Sequence, residues 1–81
     1  MNEVRIDRRI DITGLKCPYT FVKAKLVIES MEVGQVLEIL LDYEEATNSI
    51  PNSMRDHGHS VLDVIGPNEG RWIIRVRKEK D

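Results

Sequence analysis

The spacing of apolar residues in this sequence switches repeatedly between every second position and every third or fourth, and that alternation restricts the fold more than any other feature. From Arg5 to Ile12, the apolar Ile6, Ile10 and Ile12 alternate with Arg5, Asp7, Arg9 and Asp11, the pattern of a half-buried strand. Arg8 falls on the apolar face, which suits a strand whose outer half lies at a sheet edge. Gly14 breaks the pattern, and Pro18 supplies the fixed φ of a first helical position. From Pro18 to Ser30 the residues Phe21, Ala24, Ile28 and Met31 recur at helical spacing, with Val27 at the edge of the stripe.

Val36 to Asp42 reads as a second strand with Leu37, Ile39 and Leu41 on its core face, and Val36 and Leu40 make its other face apolar enough for an interior position. Glu44 to His57 has helical character but contains Pro51, so the regular helix is expected to begin at Pro51 after a looser turn, and to stop at Gly58. Ser60 to Ile65 and Arg71 to Arg77 are two further strands joined by the turn-rich Gly66 to Gly70. Leu62 and Val64, with Trp72, Ile74 and Val76, form their inward faces.

The element order is therefore βαβαββ. Right-handed crossovers run the first three strands the same way, and the terminal hairpin reverses the fourth. The expected fold is α+β, a two-layer sandwich with a mixed four-stranded sheet and both helices on one face. Eighty-one residues form one domain, spanning 1–81, with a thin core and its chemistry at the surface. At 41% hydrophobic and 32% charged residues the composition is that of a globular protein. Uninterrupted apolar runs such as Leu26-Val27-Ile28 are three residues long, so no membrane contact is expected, and the N-terminus lacks the features of a targeting segment. The cytoplasm is the expected compartment. A net charge of −2 supplies no field that favours nucleic acid.

Cys17 is the single cysteine. With His57 and His59 it lacks the paired spacing of a zinc site, so no metal and no cofactor is expected, and the two histidines read as a helix end and a strand start. The topology places Cys17, Asp42 to Thr47 and Gly66 to Gly70 at one edge of the sheet and the histidines near the opposite edge. Preceding a proline, Cys17 is biased toward N-cap geometry, with its sulfur facing the amides of Tyr19 and Thr20 at the positive end of a helix dipole. That field contributes about 0.3 to 1 kcal/mol against ~1.4 kcal/mol per pKa unit, which lowers the thiol by less than one unit from ~8.5. Two readings stay open here: an exposed nucleophile, or a small hydrophobe in the core.

The run Asp11-Ile12-Thr13-Gly14-Leu15-Lys16-Cys17-Pro18 resembles the D-x-x-G-L-x-C-P-x-P signature of the TusA/SirA-like sulfur-carrier family. The likeness continues through Lys25, Asp42, Ile50-Pro51 and Gly58-His59. It implies a fold similar to the C-terminal domain of translation initiation factor three and a persulfide carried on Cys17. The implied partners are a donor, such as a cysteine desulfurase or another sulfurtransferase, and a downstream acceptor protein, for instance toward tRNA 2-thiouridine. Thr20 stands where the signature has its second proline, a CPYT variant.

Around the cysteine, Gly14 suits a positive φ and Asp11 suits hydrogen bonds to the loop backbone, and Leu15 completes the motif. Lys16, Lys23 and Lys25 are candidates for attracting an acidic partner or stabilising the persulfide anion, or form a solvated helix face. Val22 and Leu26 form an apolar spot on the outer side of the helix, open to docking or to partial cover by loops. Two rival functions remain. One is an RNA- or protein-binding module on the open sheet face, where Arg5, Arg9, Arg71, Arg75 and Arg77 sit among Glu3, Asp7, Asp11, Glu38 and Asp63, an arrangement better suited to cross-strand ion pairs than to base stacking. The other is a thiol redox sensor at Cys17.

Overall fold

The computed structural model describes residues 5–16 and 19–80. Its elements are β1 (Arg8–Asp11), α1 (Tyr19–Glu29), β2 (Val36–Leu41), α2 (Ala46–Asp56), β3 (Ser60–Asn68) and β4 (Arg71–Arg77), the expected βαβαββ order. The sheet runs β1-β2-β4-β3. β1 pairs parallel with β2, β4 pairs antiparallel with both β2 and β3, and so the first three strands share one direction. This is the α+β sandwich with a mixed four-stranded sheet read from the sequence.

The core lies between the helices and one sheet face. Leu37, Ile39 and Leu41 of β2, Ile74 and Val76 of β4, and Ile12 have no accessible surface and meet Ala24 and Ile28 of α1 and Ala46, Ile50 and Met54 of α2. Burying apolar surface on this scale is the main force holding the layers together.

Three local readings need correction. The second helix does not wait for Pro51: it is continuous from Ala46, with Pro51 inside it and buried. Its first turn is tightened by amides that reach back three residues, Ala46 to Tyr43 (3.1 Å), Thr47 to Glu44 (2.9 Å) and Asn48 to Glu45 (3.2 Å). The proline forgoes only its own bond to the Thr47 carbonyl, and its burial offsets that loss. β3 also differs, since an irregularity between Val61 and Asp63 inserts Leu62 into the strand. Val61 takes the inward place opposite Val76, while Val64 keeps its phase opposite Ile74 but remains 46% exposed. The hairpin is tighter than Gly66 to Gly70, because Asn68 pairs with Arg71 around Glu69 (φ 55°) and Gly70 (φ 74°), and two successive positive φ values define a type I′ turn.

The stop at Gly58 is as expected. With φ at +87°, its amide donates to the Arg55 carbonyl (2.9 Å) and the His59 amide to that of Met54 (2.9 Å), the paired bonds of a Schellman cap.

Candidate functional site

The turn after β1 is held by its own side chains. Asp11 Oδ1 accepts the Thr13 amide (2.9 Å) and the Thr13 hydroxyl (2.6 Å), and the Leu15 amide returns to the Ile12 carbonyl (3.1 Å). Gly14 adopts φ +85°, and its amide donates to Asp42 Oδ1 (3.0 Å) at the end of β2. The β1–α1 and β2–α2 connections are thereby tied together, and Leu15 is half-buried against the core. Leu41 at the end of β2 pairs with Trp72, so the hairpin that leads into Arg71 lies at this same end of the sheet. Cys17 and Pro18, the centre of the motif, lie outside the described residues.

The Thr13 hydroxyl, then the Thr13 amide, and more weakly Arg71, hold the Asp11 carboxyl below its ordinary value. A lowered folded pKa stabilises the turn above the ordinary carboxylate range, and this contribution disappears as pH falls through the folded value. NMR titration of Asp11 is expected to give a midpoint below that of an unstructured Asp, and Thr13→Val to move it upward. An unchanged midpoint in the variant rejects this account of the turn.

At the helix start the amides of Tyr19 (2.7 Å) and Thr20 (3.3 Å) both donate to the Lys16 carbonyl. They are therefore not the free donors expected to face the sulfur. The start of α1 carries the positive end of its dipole, and Lys16 and Lys23 are exposed.

Thr20 is fully buried, and its Oγ1 has no hydrogen-bond partner among the described residues. A buried hydroxyl without a partner retains its desolvation penalty. Thr20→Val, which keeps the shape and removes the hydroxyl, is expected to raise stability by about 1 kcal/mol in urea denaturation. A loss of stability shows instead that the hydroxyl is satisfied.

The other candidates divide by face. Tyr19, Val22 and Leu26 are 66%, 45% and 62% exposed, so the apolar spot is open and Tyr19 extends it by one turn. Lys16 and Lys23 flank it, both exposed. Lys25 points to the other side of α1, into a cleft it shares with α2. His59 lies at the opposite end of the sheet as expected, its Nδ1 accepting the Glu79 amide (3.2 Å). His57 lines the same cleft as His59, and its ring lies 5.8 Å from that of Phe21 in the first turn of α1.

On the open sheet face the charges pair across strands. Glu38 accepts from Arg9 (3.0 Å) and Arg75 (3.0 Å), and Arg75 also meets Asp63 (3.7 Å). Trp72 packs partly buried against the core on the other face. Cross-strand ion pairs fill the middle of this face, as its sequence predicts, while Leu40, Ile73 and Ile65 form an apolar row toward the hairpin end.

The fold is that of the SirA-like proteins. A crystal structure of one from Desulfitobacterium hafniense superposes with a TM-score of 0.78 at 20% identity, covering 90% of this chain and 99% of the other. A solution structure of a Helicobacter pylori protein gives 0.70 at 23% identity, covering 89% and 97%. The model of the family Sulfurtransferase TusA matches residues 8–78, and the chain belongs to that family. Among its relatives, a protein of Archaeoglobus fulgidus assigned as a sulfur carrier is 35% identical over 77 residues, covering 95% of this chain and 88% of its own. A counterpart in Thermotoga maritima is 30% identical over 79 residues, covering 95% and 100%. YedF of Escherichia coli strain K12, assigned likewise, is 34% identical over 64 residues, covering 79% and 83%.

Proposed function

We propose that this protein is a sulfur carrier that takes up sulfane sulfur as a persulfide on Cys17 and passes it to an acceptor protein. One observation carries the reading: the described residues on either side of Cys17-Pro18, Lys16 and Tyr19, are both exposed, at the end of a turn that Asp11, Gly14 and Asp42 anchor. Relay chemistry requires a thiol open to attack and to approach.

In the first step the Cys17 thiolate attacks the outer sulfur of a donor persulfide. One S–S bond forms and one breaks, and the donor cysteine leaves as a thiolate, so no oxidant is consumed. In the second step an acceptor thiolate attacks the outer sulfur on Cys17, which is released in turn. With one cysteine in the chain, release depends on a partner. Lys16 and Lys23 favour the anionic persulfide and an acidic partner surface, and Tyr19, Val22 and Leu26 offer the apolar contact.

The donor is a cysteine desulfurase or another sulfurtransferase, and the acceptor sets the pathway, with tRNA 2-thiolation as one destination. The cytoplasm, where thiols stay reduced, suits this chemistry. Among the described residues no helix is long and apolar enough to cross a membrane. The test is intact-mass analysis after incubation with a cysteine desulfurase and cysteine. A gain of about 32 Da that a reductant removes supports the relay, and no gain with any desulfurase or sulfurtransferase donor overturns it.

A further inference from the structure

A cleft of about 320 Å³ opens between α1, the last turn of α2 and the segment that follows β4, away from the open sheet face. Its apolar floor is made by Phe21, Ile28 and Met54. Its size lies at the lower end of the range for small-molecule sites, ~300 to 1,000 Å³.

The walls carry an excess of positive charge. Lys25, Lys78 and Lys80 line the cleft, and Glu29 is the one acid that does. No carboxylate among the described residues lies within ion-pair distance of any of the three lysines, whereas Arg9 and Arg75 on the sheet face are paired. Lys78 is 4% exposed, and its Nζ donates to the Met31 carbonyl (2.6 Å) and the Glu29 carbonyl (3.2 Å) at the end of α1. An ammonium group has three protons, so one is left over. Lys80 is laid along Gly58, where a Cβ would fall 2.4 Å from Lys80 Cδ.

Of the two histidines beside the cleft, His59 adds a donor. His59 Nδ1 accepts the Glu79 amide (3.2 Å), so in the neutral ring the proton sits on Nε2 and is free to donate. His57 Nδ1 lies 2.8 Å from the Ser53 carbonyl and donates to it, so Nε2 of the neutral ring is an acceptor and His57 adds no donor to the cleft. Burial, followed by the charges of Lys78, His57 and Lys80, pushes the His59 pKa down against the opposing pull of Glu79. Burial penalises either sign of charge, and it is the charges of Lys78 and Lys80 within this shift that oppose a further cation.

We propose that this cleft binds a small organic anion, with a phosphate or carboxylate head held by Lys25, Lys78, Lys80 and His59 Nε2 and an apolar body resting on Phe21, Ile28 and Met54. The proposal does not rest on the sulfur-carrier reading.

The test is an NMR titration of the Cys17→Ser protein, which cannot form disulfides, with hexyl phosphate, hexanoate, inorganic phosphate and 1-hexanol. At least one of the two amphipathic anions is expected to give saturable shifts centred on Lys25, His59 and Lys78. That anion binds at least tenfold more tightly than inorganic phosphate or hexanol, and its binding raises the His59 midpoint. Comparing hexyl phosphate with hexanoate assigns the head group. Lys80→Gln, an exposed change that leaves the fold intact, weakens binding at least threefold. The proposal is overturned if inorganic phosphate or hexanol binds as well as both amphiphiles, if the shifts fall instead on Arg9 and Arg75, or if Lys80→Gln binds unchanged.

Discussion

Cys17→Ser is expected to abolish sulfur uptake, with no mass gain of about 32 Da and transfer to an acceptor reduced at least a hundredfold. The chain contains one cysteine, and its three methionine thioethers have no proton to lose and form no persulfide. A serine hydroxyl presents neither a thiolate at neutral pH nor an atom able to carry sulfane sulfur. The substitution changes one atom, so the thermal unfolding midpoint serves as the control and is expected to remain close to that of the parent. Repeating the wild-type reaction without oxygen separates the relay from a redox sensor. Persulfide exchange conserves oxidation state and proceeds anaerobically, whereas formation of a sulfenic acid requires an oxidant. Sulfur gain that survives in Cys17→Ser, or that needs oxygen in the wild type, is the result that refutes the carrier reading.

What the sequence discloses depends on whether a residue's role is set by near neighbours in the chain or by distant ones. Period-two spacing in β2 and the role of Gly14 are local matters: Leu37, Ile39 and Leu41 are all buried, and Gly14 adopts a φ of +85°. The signature from Asp11 to Pro18 is contiguous, so it points to the family directly. Pro51 misleads because a proline's cost is local while its compensation, burial against the core, is tertiary. Leu62 misleads because a bulge shifts the phase of the strand without any glycine to announce it. Thr20 stands four residues before Ala24 and eight before Ile28, a buried stripe that its polarity conceals. The cationic cleft draws on α1, α2 and the segment after β4, with Lys78 reaching the Glu29 and Met31 carbonyls from some fifty positions away. No window on the sequence brings those residues together.

Ile39→Ala is expected to remove about 2 to 5 kcal/mol of folding stability, the usual range for truncating a buried aliphatic side chain. At roughly 0.05 to 0.15 kcal/mol per residue, a chain of this length has about 4 to 12 kcal/mol in total, so this one change takes away a large part of it. Ile39 has no accessible surface and sits opposite Ile10 of β1 and Ile74 of β4. Its position matters to the site as well as to the core, because β2 alone joins β1 to the rest of the sheet. β1 is four residues long and leads directly into the Asp11 turn. Loosening that joint is therefore expected to accelerate hydrogen exchange of the Ile12 amide, which donates to the Leu40 carbonyl (2.8 Å), ahead of amides in the β3–β4 hairpin. Val64→Ala, on the same sheet face but 46% exposed at the opposite edge, is expected to lose about 1 kcal/mol or less and to leave Ile12 exchange unaltered. Urea midpoints at constant m-value, read beside exchange rates, compare the two variants. Equal losses at Ile39 and Val64 would mean that stability does not concentrate where the helices cover the sheet, and exchange at Ile12 that ignores Ile39→Ala would mean that the motif turn is held by its side-chain bonds to Asp11 and Asp42 rather than by its strand.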